Sequence, residues 1–134
     1  MKKELLEKAI SLAEEVGFVF VTTADLKGLP HLTAANRCEL KENGLLSLSC
    51  WFCPSTLANL QINPNVTVVA WKAENDKGYQ IEGKAKTINE LAMLDGFDRE
   101  KEEGAGFPQV ESELEMEVSR VTIFKKAPHT DSEA

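Results

Sequence analysis

At 134 residues the chain is long enough to bury a core without disulfides, and its length suits one domain, expected over residues 1–134. Its 22 acidic residues against 15 basic ones give a formal net charge of -7, which argues against nucleic acid or an anionic membrane as partner, because phosphate surfaces reward clustered Lys and Arg. Three cysteines make no disulfide framework. Glu4, Glu7, Glu14 and Glu15 break any signal-peptide core, and no apolar run reaches membrane-spanning length, so the expectation is a cytoplasmic protein with reduced thiols.

In chain order, Leu5, Leu6, Ala9, Ile10, Leu12, Ala13 and Val16 fall at helical spacing and predict an amphipathic helix over 2–16, ended by Gly17. "FVFVTTA" is a short β-rich run, and "DLKGLP" supplies the turn residues of a hairpin. "HLTAANRCEL" then predicts one continuous second strand with Leu32, Ala34, Asn36, Cys38 and Leu40 on a common face. "KENG" is a turn and "LLSLSCWF" a third strand. From Ser55, as N-cap, a two-turn helix runs to Asn63-Pro64. "NVTVVAWKA" and "YQIEGKAKTI" are the fourth and fifth strands. Thr87 and Glu90 have capping-box spacing and predict a helix through "ELAMLDGFDREKEE". "GAGFP" is a loop, "MEVSRVTIFKKAP" the last strand, and the tail from about residue 128 is expected to be disordered. Strands joined mostly by tight turns predict an antiparallel barrel or sandwich with flanking helices, not a parallel βαβ sheet.

Between Glu42 and Glu74 the one formal charge is Lys72, in a chain that is 28% charged. That stretch is either central core or also an interface or ligand surface. It contains the C-x-x-C of Cys50 and Cys53. Residues three apart on a strand point to opposite faces, so these thiols meet only if the chain turns between them. A thioredoxin-type site needs its first Cys at a helix start and a βαβ context, and a zinc site needs a second ligand pair that His31, Cys38 and His129 do not supply. A structural role for the cysteines is favoured over either. The helix start "CPST" offers free N–H groups at Ser55, Thr56 and Leu57, with two hydroxyls and no acid. It can be an ordinary cap or a phosphate site.

The order of these pieces carries a resemblance. Gly28, Pro30 and His31 before strand two, then Thr56 through Pro64 after strand three, then Gly78 through Ala85, together resemble the FMN-binding split-barrel family, which includes pyridoxamine 5′-phosphate oxidase and small bacterial FMN-binding proteins. The resemblance covers roughly residues 5–125. It implies a mainly β fold, a six-stranded antiparallel split β-barrel with flanking helices, dimeric, with FMN in clefts between subunits. By position, Ser55, Thr56 and Asn59, with Pro54 leading into them, serve the phosphate. Thr33, Ala34, Ala35 and Asn36 on strand two and Ser49, Cys50 and Trp51 on strand three line the ring and ribityl chain. Arg37 adds positive charge nearby.

Two departures shape the implied function. The oxidase branch has a basic residue for the phosphate where Ser55 and Thr56 stand, whereas the small FMN-binding branch has Thr and Asn at the places of Thr56 and Asn59. The oxidases also end in a substrate-binding segment with Trp and Arg, which "IFKKAPHTDSEA" lacks, arguing against pyridoxamine-phosphate oxidation. The resemblance thus implies an FMN-binding redox protein or small oxidoreductase with a small-molecule redox partner. The alternative is a non-catalytic split-barrel protein that binds or senses haem or a deazaflavin.

Overall fold

A computed structural model describes residues 3–51, 54–93 and 110–127. Its elements are α1 (Lys3–Val16), β1 (Val19–Ala24), β2 (Pro30–Ala35), β3 (Arg37–Leu40), β4 (Leu46–Trp51), α2 (Pro54–Ile62), β5 (Asn65–Lys72), β6 (Lys77–Met93) and β7 (Val110–Ile123). All strand pairings are antiparallel, in the order β2-β1-β5-β6-β7-β4-β3. The fold is mainly β, as expected, with a curled sheet. The curl follows from α1, which packs against β3, β5 and β6 although β3 and β5 lie far apart in the strand order.

The core lies between the inner face of this sheet and α1. Leu5, Leu6, Ala9, Leu12 and Ala13 of the helix meet alternate strand residues, among them Val19, Val21, Leu46, Leu48, Val66, Val68, Ile81 and Met116. Period-3.6 and period-2 apolar patterns therefore converge on one interior. Gly17 ends α1 at φ +97°, its N–H donating to the Ala13 carbonyl at 2.8 Å. Among the described residues no helix is long and apolar enough to cross a membrane.

The structure has seven strands where six are expected, because "HLTAANRCEL" is two strands. The chain breaks at Asn36 and the inward phase slips by one residue: Ala35 and Cys38 are buried, while Leu32, Ala34 and Asn36 are exposed. The common face predicted for Leu32 through Leu40 is therefore wrong on its β2 half. The helix predicted from Thr87 is also wrong over residues 87–93, which extend β6. There Thr87 and Asn89 lie opposite Glu115 and Glu113 of β7, and the Thr87 hydroxyl donates to Glu115 at 3.0 Å instead of capping a helix. Long-range pairing overrides a local signal of this kind. The remainder of that predicted helix, the "GAGFP" loop and the tail from residue 128 lie outside the described residues. The last strand begins at Val110, earlier than Met116. Helix α2 begins at Pro54, so Ser55 sits in its first turn and is not the cap. Proline suits that first position because its missing N–H would have had no helical partner.

Candidate functional site

The break at Asn36 makes a split in the barrel. On one side β2 pairs along its length with β1, from Val19↔Ala35 to Ala24↔Pro30. On the other, β3 pairs with β4 from Arg37↔Ser49 to Leu40↔Leu46. The two sides are joined at the break, where the Asn36 N–H donates to the Ser49 carbonyl at 2.9 Å. Beyond that apex β4 runs on through Cys50 and Trp51, paired there with Ser112 and Glu111 of β7. The edges of β2 and of the last part of β4 that border the split thus have no ladder partner among the described residues. Unpaired strand edges carry N–H and C=O groups free to bond a ligand.

Helix α2 starts three residues after Trp51 and packs on β1 and β2. Asn59 holds it there, its Nδ2 donating to the Thr23 Oγ1 at 3.1 Å. Thr23 is only 1% exposed, placed inward by the β1 alternation Val19, Val21, Thr23. Thr23 was not among the residues singled out from the sequence. The signal for it existed: a hydroxyl at an inward strand position needs a partner.

Thr56 lies in the first turn of α2, 3% exposed, and its Oγ1 is buried with no hydrogen-bond partner among the described residues. A buried hydroxyl left unpaired costs about 1–3 kcal/mol, so this atom is a liability unless something supplies the bond. Pro54 has no N–H, so the free helix-start donors begin at Ser55, one residue away from Thr56. The first turn has no acidic residue. A helix start with free donors and no carboxylate favours an anion through both hydrogen bonding and the helix dipole.

The strand residues singled out from the sequence divide into walls and apex. Ala34 is exposed, Ala35 is 1% exposed, and Thr33 is half-buried with a partner of its own. Asn36 and Ser49 form the apex. Cys50 and Trp51 contribute backbone to the β4 wall. Pro54 and Ser55 are exposed and Asn59 is half-buried against Thr23. Arg37 is exposed and opposite Ser49, one residue past the apex.

The dithiol suggested by the C-x-x-C falls on Cys53, outside the described residues. Cys38 is a core residue. Burial, then the nearby Glu14 and Glu39, push its thiol up to about 12, so it stays neutral. Among the described residues no group of three or more His, Cys, Asp and Glu side chains could hold a metal ion.

The same architecture recurs in solved structures. An FMN-binding protein from Syntrophomonas wolfei subsp. wolfei is 19% identical, with a TM-score of 0.65 and 90% of this chain and 86% of that chain covered. HupZ from Group A Streptococcus is 18% identical, with a TM-score of 0.64 and coverage of 96% and 97%. HutZ, the heme storage protein from Vibrio cholerae, is 14% identical, with a TM-score of 0.53 and coverage of 92% and 96%. At these identities the likeness is one of fold. Among curated protein sequences there is no significant match. The family profile described as pyridoxamine 5′-phosphate oxidase matches residues 5–130, nearly the whole chain, and the chain belongs to that family.

Proposed function

We propose that this chain binds FMN in the split between β2 and β4 and serves as a redox flavoprotein or small oxidoreductase. The observation that carries the reading is the buried, unpartnered Thr56 Oγ1 in a helix start free of acids. A phosphate oxygen is the partner this hydroxyl lacks. In this reading Thr56 and the adjacent N–H groups of Ser55 and Thr56 hold the phosphate, and Asn59, tied to Thr23, fixes the helix that presents them. Thr33 to Asn36 and Ser49 to Trp51 flank the ring and ribityl chain, chiefly through strand-edge backbone. The flavin, when bound, supplies the electron chemistry, and the protein's part is to hold and orient it. The proposal includes a cytoplasmic homodimer with the cofactor at the subunit boundary and a small-molecule redox partner.

Titration of the purified chain with FMN and with riboflavin, followed by visible absorption and flavin fluorescence, tests this. FMN is expected to bind near one equivalent per chain and at least ~10-fold tighter than riboflavin, since a hydrogen bond to a charged group contributes roughly 1.5–3 kcal/mol. Equal affinity for the two would remove the phosphate role of the helix start. A protein that ignores both would remove the flavin reading altogether.

The fold likeness to HutZ, the heme storage protein, supports a second reading, a haem-binding member of the same fold. A Soret band on addition of haemin, with no response to FMN, is the outcome that selects it.

A further inference from the structure

Where the end of α1 meets the break between β2 and β3, the structure leaves a hollow of about 240 Å³. Its floor is apolar and built of short side chains: Ala13 of α1, Val19 of β1, Ala35 of β2 and Cys38 of β3, all buried. Phe18 forms a wall. Three consecutive residues, Arg37, Cys38 and Glu39, line the hollow, although alternation sends neighbours on a strand to opposite faces. What they share is an edge. Strand β3 ends the strand order and pairs with β4, and among the described residues its other edge has no ladder partner. The hollow therefore opens onto backbone N–H and C=O groups able to bond a ligand. No residue of α2 or β4 lines it among the described residues, so it stands apart from the helix start proposed for a phosphate.

Charge says what fits there. The rim carries both signs: Glu14, Arg37 and Glu39 are exposed around the floor. Among the described residues none of the three has an ion-pair partner, although Arg37 and Glu39 stand two apart on one strand. Both carboxylates help to raise the Cys38 thiol, after burial, so both lie near the floor. The last turn of α1 has no basic residue. The negative end of the helix dipole thus adds to Glu14 and calls for a cation. Arg37 offers the opposite, a planar fork of donors suited to a carboxylate. An ion of a single sign would use only part of this rim. A molecule with an ammonium and a carboxylate close together on an aliphatic body satisfies rim and floor at once. The volume falls short of the roughly 300–1,000 Å³ of sites for drug-sized ligands, so that body is small.

We propose that this hollow binds a small α-amino acid with an aliphatic side chain. Its carboxylate takes Arg37, its ammonium lies between Glu14 and Glu39 at the end of α1, and its side chain rests on the apolar floor. The assignment goes beyond the flavin reading and does not rest on it.

The test is calorimetric titration of the purified chain with L-leucine, with isoamylamine, which lacks the carboxylate, and with isocaproate, which lacks the ammonium. L-leucine is expected to bind at least ~10-fold tighter than either analogue, since each analogue gives up a charge-assisted hydrogen bond. Arg37→Gln is expected to weaken L-leucine by ~10-fold or more and to leave isoamylamine as it was. Glu39→Gln is expected to weaken L-leucine and isoamylamine alike. Both positions are exposed, so unchanged circular dichroism and melting separate a lost site from lost folding, and the analogue series on the wild type needs no variant at all. No binding of L-leucine, equal affinity for the three compounds, or an Arg37→Gln variant that binds L-leucine as the wild type does, overturns the proposal. Competition between L-leucine and FMN also overturns it, by placing the amino acid in the split. FMN binding to the same sample is read separately, so the failure of one reading is not taken for the failure of the other.

Discussion

Thr56 is where stability and binding pull apart. Its hydroxyl is buried and unpartnered among the described residues, whereas Thr23, equally buried, accepts the Asn59 amide at 3.1 Å. A Thr→Val change at a satisfied buried site loses a hydrogen bond and destabilises. At Thr56 it removes an unpaired polar atom and keeps the shape, so Thr56→Val is expected to stabilise the flavin-free protein by ~1 kcal/mol. The same change is expected to weaken FMN binding by ~10-fold. Urea melts of the flavin-free protein, read beside FMN titrations, check both signs. A variant that loses stability would mean that the hydroxyl has a partner within the chain, and the argument for a phosphate at this position would fall with it.

At the scale of elements, the β6–β7 hairpin depends on a close backbone approach. A Cβ built on Gly83 would overlap the Glu117 carbonyl oxygen and come within 2.9 Å of the Met116 Cε. The ladder also shifts register between Glu82 and Gly83. Gly83→Ala is therefore expected to destabilise by ~2 kcal/mol or more, because the obstacle is backbone and cannot turn aside. A lowered urea midpoint with an unchanged slope would show it. This glycine belongs to the "GYQIEGKA" run on which the family resemblance partly rests, so its identity was legible in the sequence while its reason was not. The hairpin turn at "DLKGLP" was legible as well. Gly28 takes φ +84° there, and the Asp25 carboxylate accepts the N–H groups of Lys27 and Leu29. The break at Asn36 was not legible. Neither Gly nor Pro marks it, and "TAANRC" continues an unbroken extended pattern until the strands on either side choose different partners. The helix read from Thr87 failed for a related reason: a capping pattern is local, and β7, which claims those residues, lies far along the chain. For the candidate site, the helix start could be read from Pro54, Ser55 and Thr56. The orphaned hydroxyl could not, because the absence of a partner is a fact of three dimensions.

At the scale of the whole molecule, three carboxylates among the described residues tie distant pieces together and are held below their ordinary range. Glu15 of α1 pairs with Lys72 of β5, whose ammonium hydrogen bond is the main cause of its lowering. Asp76, in the turn after β5, accepts the N–H groups of Lys126 and Ala127 and the Trp71 indole, the Lys126 bond being the largest cause. Glu113 of β7 accepts the Ser47 hydroxyl of β4 at 2.5 Å, its largest cause, and meets Lys41 at 3.4 Å. A carboxyl whose folded pKa is depressed favours folding wherever it is ionised, and that contribution fades as pH falls from its ordinary value through the lower folded one. The ordinary values are 4.5 for Glu and 3.8 for Asp. The melting temperature is thus expected to stay level from about pH 8 to about 6 and to fall below about pH 4.5 as the three ties protonate. Much of the Glu15–Lys72 pair is exposed, and solvent screens it. The acid limb should depend most on Glu113, less exposed than the ion-paired Glu15 and Glu117. Glu113→Gln cannot ionise and accepts a weaker hydrogen bond from Ser47, so it should lower the melting temperature near neutrality and flatten its acid decline. Thermal melts by circular dichroism from pH 3 to 8, wild type beside variant, decide it. Parallel curves would mean that the acid decline comes from elsewhere, and coincident ones that the β4–β7 tie adds nothing to the barrel's stability.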